Sequence, residues 1–238
     1  MTGEGHGVSH LLKPKGFKMK MIMTLMATLF VTLTANAQNV QPFYRDIKLP
    51  RQAVVEVQSF GALAAASATD MASGYAGPTS SAATTLTSFS RQPDAARNLV
   101  ITPGSTTADV AATTLTVNGT DHSGRTISEG FAFAANASSA TTGSKAFKTV
   151  TSIVFPAEDS PYGATWSVGF GEKIGLRKCM DDAGGWVQSS VGGVKETTAA
   201  TVAANASTLS LNTADFNGTM NSSNTFKGYF MQNYQCYP

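Results

Sequence analysis

Short runs of alternating apolar and polar residues, separated by turn residues, begin near residue 84 and continue to the C-terminus. Leu115 and Val117 alternate with threonines in TLTVNG, and Phe131 and Phe133 alternate with small residues in EGFAFA. Runs with a period of two are typical of strands that bury one face. The pattern predicts a mainly β domain over residues 84 to 238, a β-sandwich or a related Greek-key barrel.

Other runs extend the same prediction. The phase of alternation slips between Phe147 and Ile153 in KAFKTVTSIVFP, which indicates a bulge or a strand buried on both faces. Asn118-Gly119 is a typical hairpin-turn pair, so we expect a turn there. Two more strands are predicted. Trp166, Val168 and Phe170 share an inward face in ATWSVGF, and FKGYFMQNYQ supplies a closing strand with Phe226, Phe230 and Tyr234.

The N-terminal part of the chain has a different character. Residues 1 to 37 combine lysines, an apolar stretch from Met21 to Thr34 and a small-residue Ala-Asn-Ala end, which is typical of a cleaved signal peptide. The alternative is an uncleaved apolar arm that packs on a neighbouring subunit. Residues 38 to 83 contain one strand-like run, AVVEVQS, before an Ala-rich and Gly-rich segment. We therefore expect an irregular, extended arm or linker there, with a short helix at most.

Charge is scarce in this chain. Charged residues make up 13% of the sequence, against roughly 25% in an average soluble protein. Residues 1 to 37 hold four lysines and one glutamate, so the rest of the chain is close to neutral. Direct binding of nucleic acid is not expected, because it requires a basic surface. The apolar stretch is also too short and too rich in threonine for a membrane span, so no membrane is expected in the mature form.

The chain offers few groups for catalysis. Outside the N-terminal segment its one histidine is His122, which sits between Asp121 and Ser123 in an apparent turn. Three consecutive side chains cannot converge as a catalytic triad requires. Paired turn carboxylates occur at two places, with spacing unlike that of a dedicated calcium loop: Glu158 and Asp159, and Asp181 and Asp182. We expect no enzyme activity, no cofactor and no metal.

Two cysteines, Cys179 and Cys236, lack the partners that a zinc site needs. In an exported chain they would form one disulfide that ties the C-terminal strand to the middle of the domain. In a protein that matures in the cytosol they would be two separate core residues. Both interpretations remain open from the sequence.

One long segment resembles a known family. Residues 89 to 156 contain a Gln-Pro-Asp-x-x-Arg-Asn lead-in, a Thr-Val-x-Gly-Thr strand end, an Ile-Ser-Glu-x-Phe strand and the run GSKAFKTVTSI, in that order, and ATWSVGFGEKIGL at 164 to 176 continues the likeness. In these motifs the chain is similar to virion structural proteins of tailed bacteriophages.

The resemblance implies a non-enzymatic building block of a phage particle, above all a head decoration or cement protein. Its expected partners are the major coat protein or other virion proteins and further copies of itself. The expected location is the virion, assembled in the host cytoplasm. A tail tube or tail accessory protein is one alternative. A secreted or surface β-rich filament or adhesion protein with a cleaved signal peptide is the other.

Three charged residues gather within the lead-in of this segment: Arg91, Asp94 and Arg97. They form either a local turn, in which Asp94 accepts hydrogen bonds and pairs with an arginine, or a docking contact with the coat, since arginine is enriched at interfaces.

Overall fold

The computed structural model describes residues 55–78, 82–104, 110–157 and 163–231. The chain divides into two compact units, Met1–Gln52 and Ala53–Pro238, and every described residue belongs to the second. The predictions for residues 1 to 37, and for 38 to 54, therefore lie outside the described residues.

The described residues form fourteen strands and two short 3-10 helices at Ala183–Gly185 and Leu209–Leu211. The strands are β1 (Val55–Ala62), β2 (Ser67–Ala76), β3 (Thr84–Leu86), β4 (Arg97–Pro103), β5 (Thr113–Thr120), β6 (Thr126–Phe133), β7 (Thr141–Thr142), β8 (Thr149–Phe155), β9 (Thr165–Gly175), β10 (Trp186–Val191), β11 (Val194–Lys195), β12 (Thr201–Ala203), β13 (Thr213–Asp215) and β14 (Thr225–Met231). The predicted mainly β class is confirmed, and the sheets curl into a half-barrel.

The strands form three antiparallel sheets. Sheet A has the order β1-β14-β10-β11, and sheet C has the order β3-β8-β5-β6. Sheet B has the order β12-β13-β9-β4-β7, and β2 also pairs with β9. Gly169 in β9 permits that extra pairing, because a Cβ atom there would lie 1.7 Å from the carbonyl oxygen of Ser67.

Two hydrophobic cores lie along this arrangement. The first core takes its buried side chains mainly from β4, β5, β6, β8 and the first half of β9. Trp166, Val168 and Phe170 are completely buried in it, as the alternation in ATWSVGF predicts, and Phe131 and Phe133 share it. Trp166 packs edge-on against Phe133, with ring centroids 4.9 Å apart.

The second core contains the end of β9 together with side chains of β13 and β14. Aromatic rings dominate it. Phe216 makes edge-on contacts with Phe60, Trp186 and Phe226, and Trp186 stacks on Phe230 with an interplanar angle of 3°. Gly228 makes room for this stack, because a Cβ atom there would lie 2.3 Å from the Trp186 ring. Phe226 and Phe230 lie on the predicted closing strand, β14, and are completely buried, whereas Tyr234 lies outside the described residues.

In the described part of the predicted arm, β1 overlaps the strand-like run AVVEVQS, whereas β2 stands where an irregular segment with a short helix at most was expected. Residues 55 to 76 form β1 and β2, which pair with β14 and β9, so they belong to the sheets. The register of β2 with β9 shifts twice, since Ser67 pairs with Phe170, Ala72 with Val168 and Tyr75 with Trp166. A strand with such shifts does not need a regular alternation of apolar and polar residues. Only Met71 of β2 is completely buried.

The hairpin between β5 and β6 also turns later than predicted. Asn118 and Gly119 continue β5, and the turn lies at Asp121 to Gly124. Gly119 is needed inside the strand, because a Cβ atom there would lie 2.1 Å from the carbonyl oxygen of Thr149. The predicted irregularity of KAFKTVTSIVFP is confirmed as a bulge, since Asn118 pairs with Ser152 while Gly119 pairs with Val150.

Candidate functional site

The turn before β4 is organised by Asp94. Its Oδ2 atom accepts a hydrogen bond from the backbone N–H of Ala64 at 2.7 Å, and Oδ1 accepts one from Ala95 at 2.9 Å. The carboxylate thus joins its own turn to the connection between β1 and β2. Gln92 fixes the same segment to β8, because its side-chain amide both donates to and accepts from the backbone of Val150.

Arg97, the first residue of β4, is completely buried. Its Nε donates to the carbonyl oxygen of Gly171 and its Nη1 to that of Ala64, each at 2.8 Å. Nη1 also lies 3.4 Å from Oδ1 of Asp94, and the guanidinium sits 4.5 Å from the centre of the Phe170 ring. Burial lowers the pKa of Arg97, and the nearby carboxylate of Asp94 opposes this shift.

The buried guanidinium lies where the two cores meet. Phe170, beneath it, belongs to the first core. Nη2 of Arg97 approaches the sulfur of Met220, a residue of the second core, at 3.4 Å. Arg97 therefore bonds to groups from both halves of the domain, and its removal would leave several buried polar atoms without a partner.

Arg91 completes the predicted cluster but stays at the surface. Its Nη1 lies 3.0 Å from Oδ2 of Asp70 in β2, and its guanidinium lies 5.4 Å from the Phe170 ring. The structure thus places both arginines against the ring of Phe170, and Asp94 pairs with Arg97. Asp94 and Arg97 make the contacts of the local-turn interpretation. Docking remains a prediction, and Arg91 is the member of the cluster exposed enough to take part.

His122 lies at the tip of the β5–β6 turn. Oδ1 of Asp121 accepts hydrogen bonds from Ser123 and from the backbone of Arg125, so this carboxylate shapes the turn. Partial loss of hydration lowers the pKa of His122, and Lys148 acts in the same direction. The histidine borders a cavity of about 140 Å³ that Asp94, Lys148 and Gln58 also line. Asp94 already bonds to backbone groups there.

The predicted acidic turns give no metal centre in the described part of the chain. Asp181 and Asp182 are exposed, and the described residues contain no group of three or more His, Cys, Asp or Glu side chains placed to hold a metal ion. Glu158 and Asp159 lie outside the described residues.

Cys179 is completely buried and disulfide-bonded. Its predicted partner Cys236 lies outside the described residues, so the pairing stays a prediction. Cys179 packs beside Leu209, next to the 3-10 helix before β13.

The sequence analysis missed a surface on sheet A. The exposed large apolar side chains of the described residues all lie on strands of this sheet: Val55, Val57, Val187, Val194 and Met231. The signal was present in AVVEVQS, whose alternation defines two faces of a strand. The sequence alone does not say that the valine face is the one that points outward.

Comparison with protein-family models, with curated proteins and with solved structures gave no match. Among the helices in the described ranges, none has the length and apolar character to cross a membrane.

Proposed function

We propose that this protein is a structural component of a tailed-bacteriophage particle, most specifically a decoration or cement protein seated on the coat lattice. The observation that carries the proposal is the position of the family-like motifs. They begin just before β4 and end in β9, and the strands between build a single core. The resemblance therefore covers most of the strands that build this core, which also takes Ala64, Met71 and Leu86 from outside the motifs.

The outward face of sheet C supports a role in protein–protein packing. Register and alternation place hydroxyl and amide side chains at its outward positions: Thr114, Thr116, Asn118 and Thr120 in β5, Thr126 and Ser128 in β6, and Thr149 and Ser152 in β8. A neutral face with many small hydrogen-bonding groups suits close contact with another protein, because no charge has to be desolvated.

The test adds the full-length chain to empty coat shells of the phage whose genome carries the gene. We expect saturable binding with a fixed number of copies per shell, and the same protein in purified particles by mass spectrometry. A chain that stays in the supernatant at micromolar concentration and is missing from purified particles would contradict the proposal.

Disulfide-bonded Cys179 favours a second candidate, a secreted or surface-exposed β-rich protein, because disulfides persist in oxidising compartments. Intact-mass measurement of the native protein separates the two candidates. Cleavage after Ala37 together with recovery from the medium supports the secreted protein, whereas the uncleaved chain inside particles supports the virion protein.

A further inference from the structure

The outward face of sheet A has an apolar end. β1 and β14 pair there in a register that places Val55 beside Met231 and Val57 beside Tyr229. Val187 lies in the bulge where β10 joins β14, between Trp186 and Gln188. Val55, Val57, Val187 and Met231 are each between 40% and 50% exposed. We call Val55, Val57, Val187, Tyr229 and Met231 the apolar patch.

The register of β1 is the reverse of what burial of its valines would require. Gln58 points inward, where its amide donates to the carbonyl oxygen of Gly175 and accepts from the backbone N–H of Arg177. Phe60, on the same inner side, packs against Phe216. A slip of one residue would bury the valines and expose Gln58 and Phe60. Because two hydrogen bonds and a ring contact fix the observed register, the valine face is held outward.

Beside the apolar patch lies a basic row. Lys227 in β14 pairs with Ser190 in β10, and Ser190 pairs with Lys195 in β11, so both lysines lie in one row across the sheet. Both are exposed, and neither side-chain ammonium group has a hydrogen bond or ion pair within the described residues. Glu56, the acidic residue of β1, occupies an inner register position and pairs with Arg177. Within the described residues, no carboxylate forms an ion pair with either lysine of this row.

We propose that the outward face of sheet A is a docking surface for a protein segment that is apolar in its centre and acidic at one end. The apolar patch would cover the segment's centre, and Lys195 and Lys227 would meet its carboxylates. This inference rests on the proposed function and assigns such a segment to the coat protein. The charge pattern carries this choice of partner, because an acidic group opposite the basic row neutralises both lysines.

Two other occupants match the face less well. A second copy, packed face to face around a two-fold axis, would set each basic row against either the other basic row or the apolar patch, and neither arrangement neutralises the lysines. An anionic lipid surface would neutralise them. However, interfacial binding relies on large side chains such as Trp, Phe and Leu, whereas this patch consists mostly of short valines.

The test measures binding of full-length variants to the same coat shells over a range of salt concentrations. V57T/V187T removes apolar contact, and K195Q/K227Q removes the basic row. We expect each double variant to bind at least tenfold more weakly than wild type, and the lysine variant to lose most of its salt dependence. The control, S138E/S139E, makes the same change in net charge at exposed positions of the loop between β6 and β7, away from the outward faces of sheets A and C, and it should bind within about twofold of wild type. Circular dichroism and melting temperature confirm that each variant is folded.

The outcomes separate this inference from the function on which it rests. If wild type binds the shells and both sheet A variants bind equally well, the inference is overturned and the proposed function stands. If wild type does not bind the shells, both are overturned. Sedimentation that shows a wild-type dimer abolished by V57T/V187T overturns the acidic partner in favour of a second copy. Binding to phosphatidylserine vesicles that K195Q/K227Q abolishes overturns it in favour of a lipid surface.

Discussion

The two cores of the domain are assembled from different parts of the chain. Some strands of the first core that pair with each other, such as β5 with β6 and β8, follow closely in sequence. The second core depends on sheet A, in which β1 near the start of the described residues pairs with β14 at their end. Short hairpins form at a small cost in loop entropy, whereas pairing of distant strands must wait until the intervening chain is ordered. The first core therefore contains a local part, β5 with β6 and β8, beside longer-range pairs such as β4 with β9, whereas sheet A pairs a strand near the start of the described residues with one at their end.

The two tryptophans of the chain lie one in each core, and they differ in how deeply they are buried. Trp166 is completely buried in the first core, between Phe133 and Phe155. Trp186 is half-buried at the rim of the second core, where one ring face covers Gly228 and Phe230. Neither indole Nε1 has a hydrogen-bond partner within the described residues. Their contribution to stability thus comes from packing, and it should scale with burial.

The strongest way to test this difference is to truncate each tryptophan. We expect Trp166→Ala to lower the free energy of unfolding by about 3–5 kcal/mol, and Trp186→Ala to lower it by about 2 kcal/mol, because less of its ring is buried. Urea denaturation followed by the fluorescence of the remaining tryptophan measures both values. Equal losses would show that the two cores contribute alike. Trp166→Phe serves as a control and should cost less than Trp166→Ala, because it keeps most of the ring volume.

A second test removes the group that joins the cores. Arg97→Met should cost about 3–4 kcal/mol, because it leaves the carbonyl oxygens of Ala64 and Gly171 and the carboxylate of Asp94 with fewer partners. Arg91→Met is the matched control and should cost less than about 1 kcal/mol, since its ion pair with Asp70 is exposed. Thermal unfolding of both variants provides the comparison. Equal destabilisation by the two changes would contradict the linking role of Arg97.

Reduction of the disulfide should affect the two cores unequally. If Cys179 pairs with Cys236, the bond constrains the segment that contains β10 to β14, and its loss should cost about 2–4 kcal/mol. Hydrogen exchange with and without dithiothreitol should then show greater loss of protection in β13 and β14 than in β5 and β8. Alkylation checks the pairing itself, because both thiols should react after reduction and neither before it. Two thiols that react without reductant would exclude the pairing.

The smallest expected effects concern the outward faces. Thr116→Val on sheet C and Val57→Thr on sheet A exchange a hydroxyl and a methyl group on strands, and each should change stability by less than about 0.5 kcal/mol. Their effect on self-association should differ in sign, because Thr116→Val adds apolar surface and Val57→Thr removes it. Light scattering of concentrated samples measures this difference. A change of more than 1 kcal/mol from either variant would show that the side chain is packed in the fold.

The first core could be derived from the sequence in considerable detail. Alternation placed Trp166, Val168 and Phe170 on one buried face, and the phase slip after Phe147 identified the bulge. The position of the β5–β6 turn was wrong, because Asn118-Gly119 carries a strong local turn signal. In the structure Gly119 lets β8 approach β5 closely, because it has no Cβ atom. β8 lies more than twenty residues away in sequence, so the local pattern around Gly119 does not show this need.

The candidate sites were predicted less completely. The grouping of Arg91, Asp94 and Arg97 pointed to a connected cluster. In the structure Asp94 pairs with Arg97, and both arginines lie against the Phe170 ring. The sequence could not reveal that Arg97 contacts both Ala64 and Met220, because those residues come from remote parts of the chain. The apolar patch was missed for a related reason. Its side chains come from β1, β10 and β14, and no local pattern connects them.

By itself the sequence determined the mainly β class and the inward face of the strands that form the first core. It could do so because a side-chain period of two is a local property of an extended chain with one buried face. Only the tertiary structure decided that residues 55 to 76 belong to the sheets, that Arg97 is buried between two cores, and that Val55 and Val57 face outward. Each of these depends on pairing between distant strands. Alternation defines two faces of a strand, but the partners that the fold supplies decide which of them is buried.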